Sequence, residues 1–469
     1  MSQTSSSSTE ANVQHSFAIL ISVAAALGGF LFGFDTAVIN GAVDALRQHF
    51  QVGPWETGLA VSLALLGSAV GALIAGPMGD RVGRTKSMVI AAVLFLASAI
   101  GSGMPFSIWD FIIWRAIGGI AVGIASVIAP AYIAEVSPAH LRGRLGSLQQ
   151  LAIVVGIFVA LLTNYLIALG AGGASNPFWF GIEAWKWMFW SEAPAAILYG
   201  IGALLVPESP RFLVANKREK EAVVILEKIV GPALALAKVN EIRSTVRSEQ
   251  KPQFRDLRGS SFGLLPIVWV GIGLSLFQQF VGINVIFYYS SSLWRAVGFS
   301  EGNALAITVI TGAINILTTL IAIAFVDKFG RKPLLLAGSA GMAITLGVMA
   351  FCFQTATRDA GGAPVLEGAN SILALIAANL YVFCFGFSWG PVVWVLLGEM
   401  FNNQIRGAAL SLAACAQWVA NFAISTTFPP LAEVGLGLAY GLYATFATIS
   451  FFFVLKLVRE TKGKELEQM

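Results

Sequence analysis

The sequence predicts an all-α membrane protein with twelve transmembrane helices in two sets of six. Three observations predict it. Only 12% of the 469 residues are charged and 57% are hydrophobic, with a mean hydropathy of +0.77, whereas soluble domains carry about 25% charged residues. Twelve apolar stretches are each long enough to cross a bilayer. A single long polar interval, 208–262, divides them six and six.

In chain order, residues 1–16 are rich in Ser and Thr and read as a disordered tail. The first apolar stretch, 17–40, has neither a basic leader nor a cleavage site, so it is a retained helix and not a signal peptide. With 57–78, 86–104, 108–133, 145–170 and 187–206 it forms the first bundle, 17–207. The interval 208–262 contains KREKEAVVILEKIV, whose charges recur at helical spacing, and is expected to form solvated linker helices. The stretches 264–297, 301–326, 333–355, 371–398, 405–430 and 434–457 form the second bundle, 263–458. The longest must tilt or project beyond the lipid. Residues 459–469 form a short tail.

Basic residues set the orientation. Placing the linker, the tail and the loops after spans 2, 4, 8 and 10 on one side gathers nearly all Lys and Arg there. Arg47, Lys186, Arg295 and Arg358 are left opposite. The excess of Lys and Arg on the inner side then puts both termini and the linker in the cytoplasm. The expected location is the cell inner (plasma) membrane, with the lipid bilayer as surroundings and a monomer as the working unit.

Composition also excludes functions. The net charge of +4 is small and follows topology, so no nucleic-acid partner is expected. Cys352, Cys384 and Cys415 all lie in apolar stretches, which predicts no disulfide framework. His15, His49 and His140 have no metal-ligand spacing. No GxxxxGK[ST] loop exists to hold ATP. No nucleophile–base pair is visible, so the chain does not read as an enzyme, and no cofactor or metal is expected.

Two charges stand inside apolar stretches: Asp35 in the first and Arg115 in the fourth. Each costs at least about 2.5–3.5 kcal/mol near the bilayer centre. A chain that keeps one of each sign is expected to pair them. A proton can neutralise the carboxylate and break the pair, whereas arginine stays charged. The plain alternative is a fixed staple between two helices, and the coupling reading is preferred.

Amides and tryptophans embedded in membrane helices need a partner or an aqueous cavity. Here they accumulate: Gln149 and Gln150, Gln278, Gln279 and Asn284 in FQQFVGIN, Asn315, Trp394 after GFSWGPVV, and Gln417, Trp418 and Asn421 in AQWVAN. Amides both donate and accept, as hydroxyls do, and tryptophan faces suit the C–H surface of a sugar ring. The set points to a polyhydroxylated neutral ligand. Gln149 and Gln150 point about 100° apart on a helix, so at most one faces it. Gly282 and Pro391 mark weak points that suit a gate, and Tyr288 and Tyr289 lie beyond Asn284 as an aromatic lid. At the cytoplasmic rim, Asp80, Arg84, Glu135, Arg142, Glu208, Arg211, Asp327, Arg331, Glu399 and Arg406 recur at helix ends. They are expected to lock the two halves together when the site faces outward.

The halves repeat. GDRVGRTK at 79–86 answers VDKFGRKP at 326–333, and EVSPAHLRGR at 135–144 answers EMFNNQIRG at 399–407. Two parallel six-helix repeats are the arrangement of the major facilitator fold, with the substrate between them. These motifs, with PESPR at 207–211, QQFVGIN at 278–284, GPVVW at 390–394 and RETKG at 459–463, resemble the sugar porter family of the major facilitator superfamily over residues 17–463. RETKG departs from that family's PETKG. The resemblance implies import of a monosaccharide, D-glucose being favoured, together with a proton by alternating access. It implies that Gln150, Gln278, Gln279, Asn284, Asn315, Trp394 and Gln417 hydrogen-bond the sugar while Phe32 and Trp418 pack on it. It implies that Asp35 is the proton-coupling acid and Arg115 its partner. Passive members commonly carry Asn in place of that acid, so the Asp here favours symport. A passive uniporter of the same fold and a non-transporting sugar sensor are the alternatives.

Overall fold

The structure is a computed structural model that describes residues 3–138, 141–248, 254–259, 261–358, 364–401 and 405–461. Among the described residues, twelve helices are long and apolar enough to cross a membrane. They are Ser16–Gly41, Pro54–Val82, Arg84–Gly103, Ile108–Val136, Leu145–Ala171, Ala184–Leu205, Pro266–Ala296, Glu301–Phe325, Arg331–Gln354, Gly368–Met400, Ala408–Val434 and Leu436–Leu457, called spans 1 to 12 here. They fall on the twelve predicted stretches. The end from which the connection between spans 6 and 7 leaves is the linker end; the opposite is the far end.

Spans 7 and 10 are each interrupted. Span 7 is Pro266–Phe280 followed by Ile283–Ala296, and the break is at Gly282, whose φ is +82°. A Cβ there would meet the Tyr443 ring at 2.7 Å, so both backbone and packing require glycine. Span 10 breaks after Gly386 and resumes at Trp389, which places Pro391 in the first turn of the second segment, where it removes no helical bond.

The linker folds as Pro210–Ala215, Glu219–Val230 and Pro232–Ser248, the amphipathic helices expected from its charge pattern. Their apolar faces form a small core of their own around Leu213, Leu226 and Val239. Two features depart from expectation. The tail predicted to be disordered through residue 16 is helical from Gln3, continuous with span 1; its Ser, Thr and Ala residues extend a helix already nucleated by the span. At the far end, Val43–Phe50 forms a short helix between spans 1 and 2, too brief and too polar to have stood out beside the apolar runs.

Across the middle, span 2 packs on span 11 and span 5 on span 8. These contacts join the first six spans to the last six. At the far end, further polar contacts cross between the halves. Arg47 pairs with Glu433 at 2.6 Å and Arg295 with Asp44 at 2.9 Å. The Ala174 amide donates to Glu301 at 2.8 Å, and Ser62 bonds Thr426 at 2.6 Å.

Candidate functional site

Within spans 1, 4 and 6 lies a buried ionic centre. Asp35 and Arg115 are 0% and 1% exposed. Arg115 donates from Nη1 to Asp35 Oδ1 at 2.8 Å and from Nη2 to the Asp35 backbone carbonyl at 2.7 Å. The guanidinium therefore holds both the side chain and the helix backbone of span 1. Its Cζ lies 5.7 Å from the centre of the Phe189 ring, a desolvated cation–π contact. The backbones pack closely here because residue 118 is glycine: a Cβ on it would sit 2.9 Å from Asp35 Oδ1 and 2.4 Å from Ser98 Oγ.

Glu192 completes the centre, and the sequence reading missed it. It sits at the kink between Ala184–Trp190 and Ala193–Leu205 in span 6, fully buried. Glu192 is close enough to Asp35 for the two carboxyl groups to interact. Asp35 Oδ2 and both Glu192 oxygens are buried without a hydrogen-bond partner. Two carboxyl groups bond only when one holds a proton. One arginine beside two acids is likewise neutral only when a single proton is present. The signal was in the sequence as a third acid or base inside an apolar stretch, but its place near the start of the stretch reads as a helix end.

The amides form a second centre in the last six spans. Asn284 Nδ2 donates to Gln279 Oε1 at 2.6 Å, and Gln279 Nε2 to Gln278 Oε1 at 3.4 Å. Gln278 Nε2 donates to the carbonyls of Trp389 and Gly390 at 2.9 and 3.2 Å. A chain of three amides thus links the break in span 7 to the break in span 10. Asn315 is buried, close to Gly386 at that second break. Gln417 is half-buried and its Oε1 has no partner. Phe32 and Trp418 meet across the two halves with ring centroids 6.0 Å apart.

Of the glutamine pair on span 5, Gln149 is buried and Gln150 half-buried, and both amide atoms of Gln149 lack partners. Trp394 is 43% exposed, and its neighbour Trp389 is the buried one, donating to Leu335 O at 3.1 Å and Ser339 Oγ at 2.9 Å. Tyr288 and Tyr289 are buried, and Tyr289 is anchored on span 11, donating to Ser425 O at 2.8 Å.

At the linker end, contacts among the described residues gather the charges into a cluster within each half. In the first, Arg84 donates twice to Glu135 at 3.1 Å, its backbone amide donates to Glu208 at 2.9 Å, and Ser209 Oγ donates to Glu135 at 2.5 Å. Arg84 also reaches Asp80 at 3.1 Å, and Arg211 lies 4.0 Å from Glu135. In the second, Arg331 donates to Glu399 at 3.0 and 2.7 Å, its amide donates to Glu460 at 3.0 Å, and Thr461 Oγ1 donates to Glu399 at 2.5 Å. In this conformation these contacts form two matching clusters, one in each half. The side chains of Arg142, Asp327 and Arg406 lie outside the described residues. The match of Glu208 with Glu460 adds a third repeat unit, PESPR with RETKG, to the two read from the sequence.

Comparison with known proteins agrees with this geometry. The family model for sugar (and other) transporters matches residues 21–469. The chain is 67% identical to the glucose transport protein of Synechocystis sp. (strain ATCC 27184 / PCC 6803 / Kazusa), covering 99% of both chains. It is 41% identical to the D-xylose-proton symporter of Escherichia coli K12, covering 97% of this chain and 95% of that one. The structure matches the partially occluded inward-open form of the E. coli xylose transporter XylE with a TM-score of 0.83 at 39% identity, covering 96% and 100% of the two chains. It matches XylE bound to 6-bromo-6-deoxy-D-glucose with a TM-score of 0.77 at 40% identity, covering 97% and 98%. The fold is thus that of the major facilitator superfamily, and the chain, a multi-pass membrane protein, belongs to the sugar transporter family.

Proposed function

We propose that this protein imports D-glucose together with a proton by alternating access, working as a monomer in the cell inner membrane with both termini and the linker in the cytoplasm. The reading is carried by the Asp35–Arg115–Glu192 centre, a buried set of charges that balances only with one proton present. The amide chain of Gln278, Gln279 and Asn284, with Asn315, Gln150 and Gln417, is the sugar site, and Phe32 and Trp418 pack on the sugar ring. Trp394 is a further sugar contact. The linker end corresponds to the cytoplasm, so the halves joined at the far end describe an inward-facing state. The likeness to inward-open XylE supports this.

Each transport step follows from the balance of charge. Protonation at the carboxyl pair loosens Asp35 from Arg115 and frees span 1 to move against span 4. Sugar bound on span 7 exchanges the amide chain for bonds to its hydroxyls, and the segment beyond Gly282 swings with Tyr288 and Tyr289 to close the far end. Pro391 and the break in span 10 provide the corresponding movement at the linker end. The two intra-half clusters are expected to exchange partners across the cytoplasmic rim when the site faces outward. A preference for glucose follows from the similarity to the Synechocystis protein. Uptake into proteoliposomes driven by an imposed proton gradient, competed with D-xylose, D-galactose and D-fructose, tests both the coupling and the sugar. Strong competition by D-xylose and none by D-galactose is compatible with glucose; uptake indifferent to the gradient contradicts symport.

A further inference from the structure

Asn40 joins the two centres. It lies in the one-turn helix Ile39–Gly41 that ends span 1, five residues beyond Asp35, and is 1% exposed. Its Nδ2 donates to the Phe287 carbonyl at 2.9 Å and to Ser290 Oγ at 3.0 Å. The Ser291 hydroxyl donates to the Asn40 carbonyl oxygen. One residue of the first half thus holds three groups of the moving segment Ile283–Ala296 of the second.

The register of that segment gives the contact its meaning. Asn284, Phe287, Tyr288 and Ser291 recur at i, i+3, i+4 and i+7, a single stripe on a helix. That stripe ends in Ser291, whose hydroxyl bonds the Asn40 carbonyl, while Asn40 also holds the backbone carbonyl of Phe287 and the hydroxyl of neighbouring Ser290. On span 1, Phe32, Thr36 and Asn40 lie one turn apart, and Thr36 Oγ1 donates to the Phe32 carbonyl at 2.8 Å. Asn164 Nδ2 donates to the Val38 carbonyl at 2.8 Å and fixes the same turn to span 5. Asn40 Oδ1 is buried without a partner. A buried amide that uses its donors and leaves its acceptor idle has a second arrangement open to it when the segment moves.

We infer that Asn40 is the positioning residue that makes movement of the sugar-bearing half of span 7 and release of the Asp35–Arg115 pair a single event. The inference rests on the symport reading above. When the segment beyond Gly282 leaves Asn40, the end of span 1 is freed on the same stroke, and the proton centre one turn away can rearrange. When the grip is lost, the segment and span 1 move independently, so sugar crosses without its proton. Asn40 does not touch the sugar or the proton in this scheme.

The test uses the full chain in proteoliposomes. Asn40→Ala and the volume-keeping Asn40→Leu are compared with the parent for protons moved per sugar, for sugar exchange, and for the distance between spin labels at Gln51→Cys and Gly302→Cys. Both label sites are exposed at the far end, one on each half, and Cys415 is replaced to leave the labels alone. Both variants are expected to retain exchange, to shift the far-end distances toward the open population, and to lose protons per sugar by about tenfold, the size of one or two buried hydrogen bonds. Variants that keep the parental ratio overturn the inference, even if the far end opens, because Asn40 is then only a gate contact. A parent that moves sugar with no protons refutes the symport reading instead, a result separate from any difference between parent and variant.

Discussion

The two halves of this transporter hide different chemistry. The first buries charge: Asp35, Arg115 and Glu192 are all between 0% and 1% exposed. The second buries neutral amides, with Gln278, Gln279 and Asn284 hydrogen-bonded in series. A buried charge responds to a proton and hardly to a neutral hydroxyl; a buried amide does the reverse. The pseudo-symmetric repeats at the linker end, Arg84–Glu135 and Arg331–Glu399, show that both halves share one architecture. The division of labour therefore lies in the side chains placed on it. On the proposed reading, energy enters through one half and the cargo binds mainly to the other.

The largest expected effect comes from breaking the charged half. Arg115→Ala leaves two acids buried with no cation, and removing one partner of a buried pair costs about 3–5 kcal/mol. Thermal unfolding in detergent should shift down steeply, and lowering the pH, which supplies protons to the acids, should recover part of the loss. An equal loss at every pH would mean that Arg115 serves packing alone.

Breaking the amide half should do something different. Gln279→Ala removes the middle of the amide chain and is expected to raise KM for the sugar about tenfold, the worth of one or two hydrogen bonds. Protons per sugar should stay at the parental value. A change in that ratio would blur the contrast between the halves.

The smallest effect lies at the far-end rim, outside both centres. Partial burial raises the Glu183 carboxyl, but hydrogen bonds from His49 and Lys186 outweigh it and hold the group below its ordinary value of 4.5. Such a group adds stability that is present above its unfolded value and is lost as the pH falls through the folded one. As the pH falls from above 4.5 through the lowered folded value, the parent should therefore lose slightly more thermal stability than Glu183→Gln. Identical slopes would show that the contact with His49 contributes nothing.

Much of the fold was legible because membrane spans announce themselves by length and apolarity, and all twelve fall where the sequence puts them. The pairing of Asp35 with Arg115 was legible for the same reason, since a charge in such a run has few places to go. Gly282 was legible as a weak point, and the structure gives it a left-handed backbone that only glycine adopts easily. Glu192 was not, because an acid near the start of an apolar run looks like a helix end until the kink at Ser191 turns it inward. The recurrence of rim charges at matching helix ends was legible, but pattern alone does not tell a contact within a half from one across it. Asn40 gave no signal at all: a single asparagine after a span is a common terminus, and its partners lie about 250 residues away.

The central claim is that Asp35 carries the coupled proton, and Asp35→Asn tests it most directly. A membrane potential of about 100 mV contributes roughly 2.3 kcal/mol per proton, enough for about 50-fold accumulation of sugar. In proteoliposomes held at that potential, the parent is expected to accumulate sugar well above equilibrium, while Asp35→Asn should exchange labelled sugar freely and reach equal concentrations on both sides. Concentration of sugar by Asp35→Asn against its gradient would contradict the account.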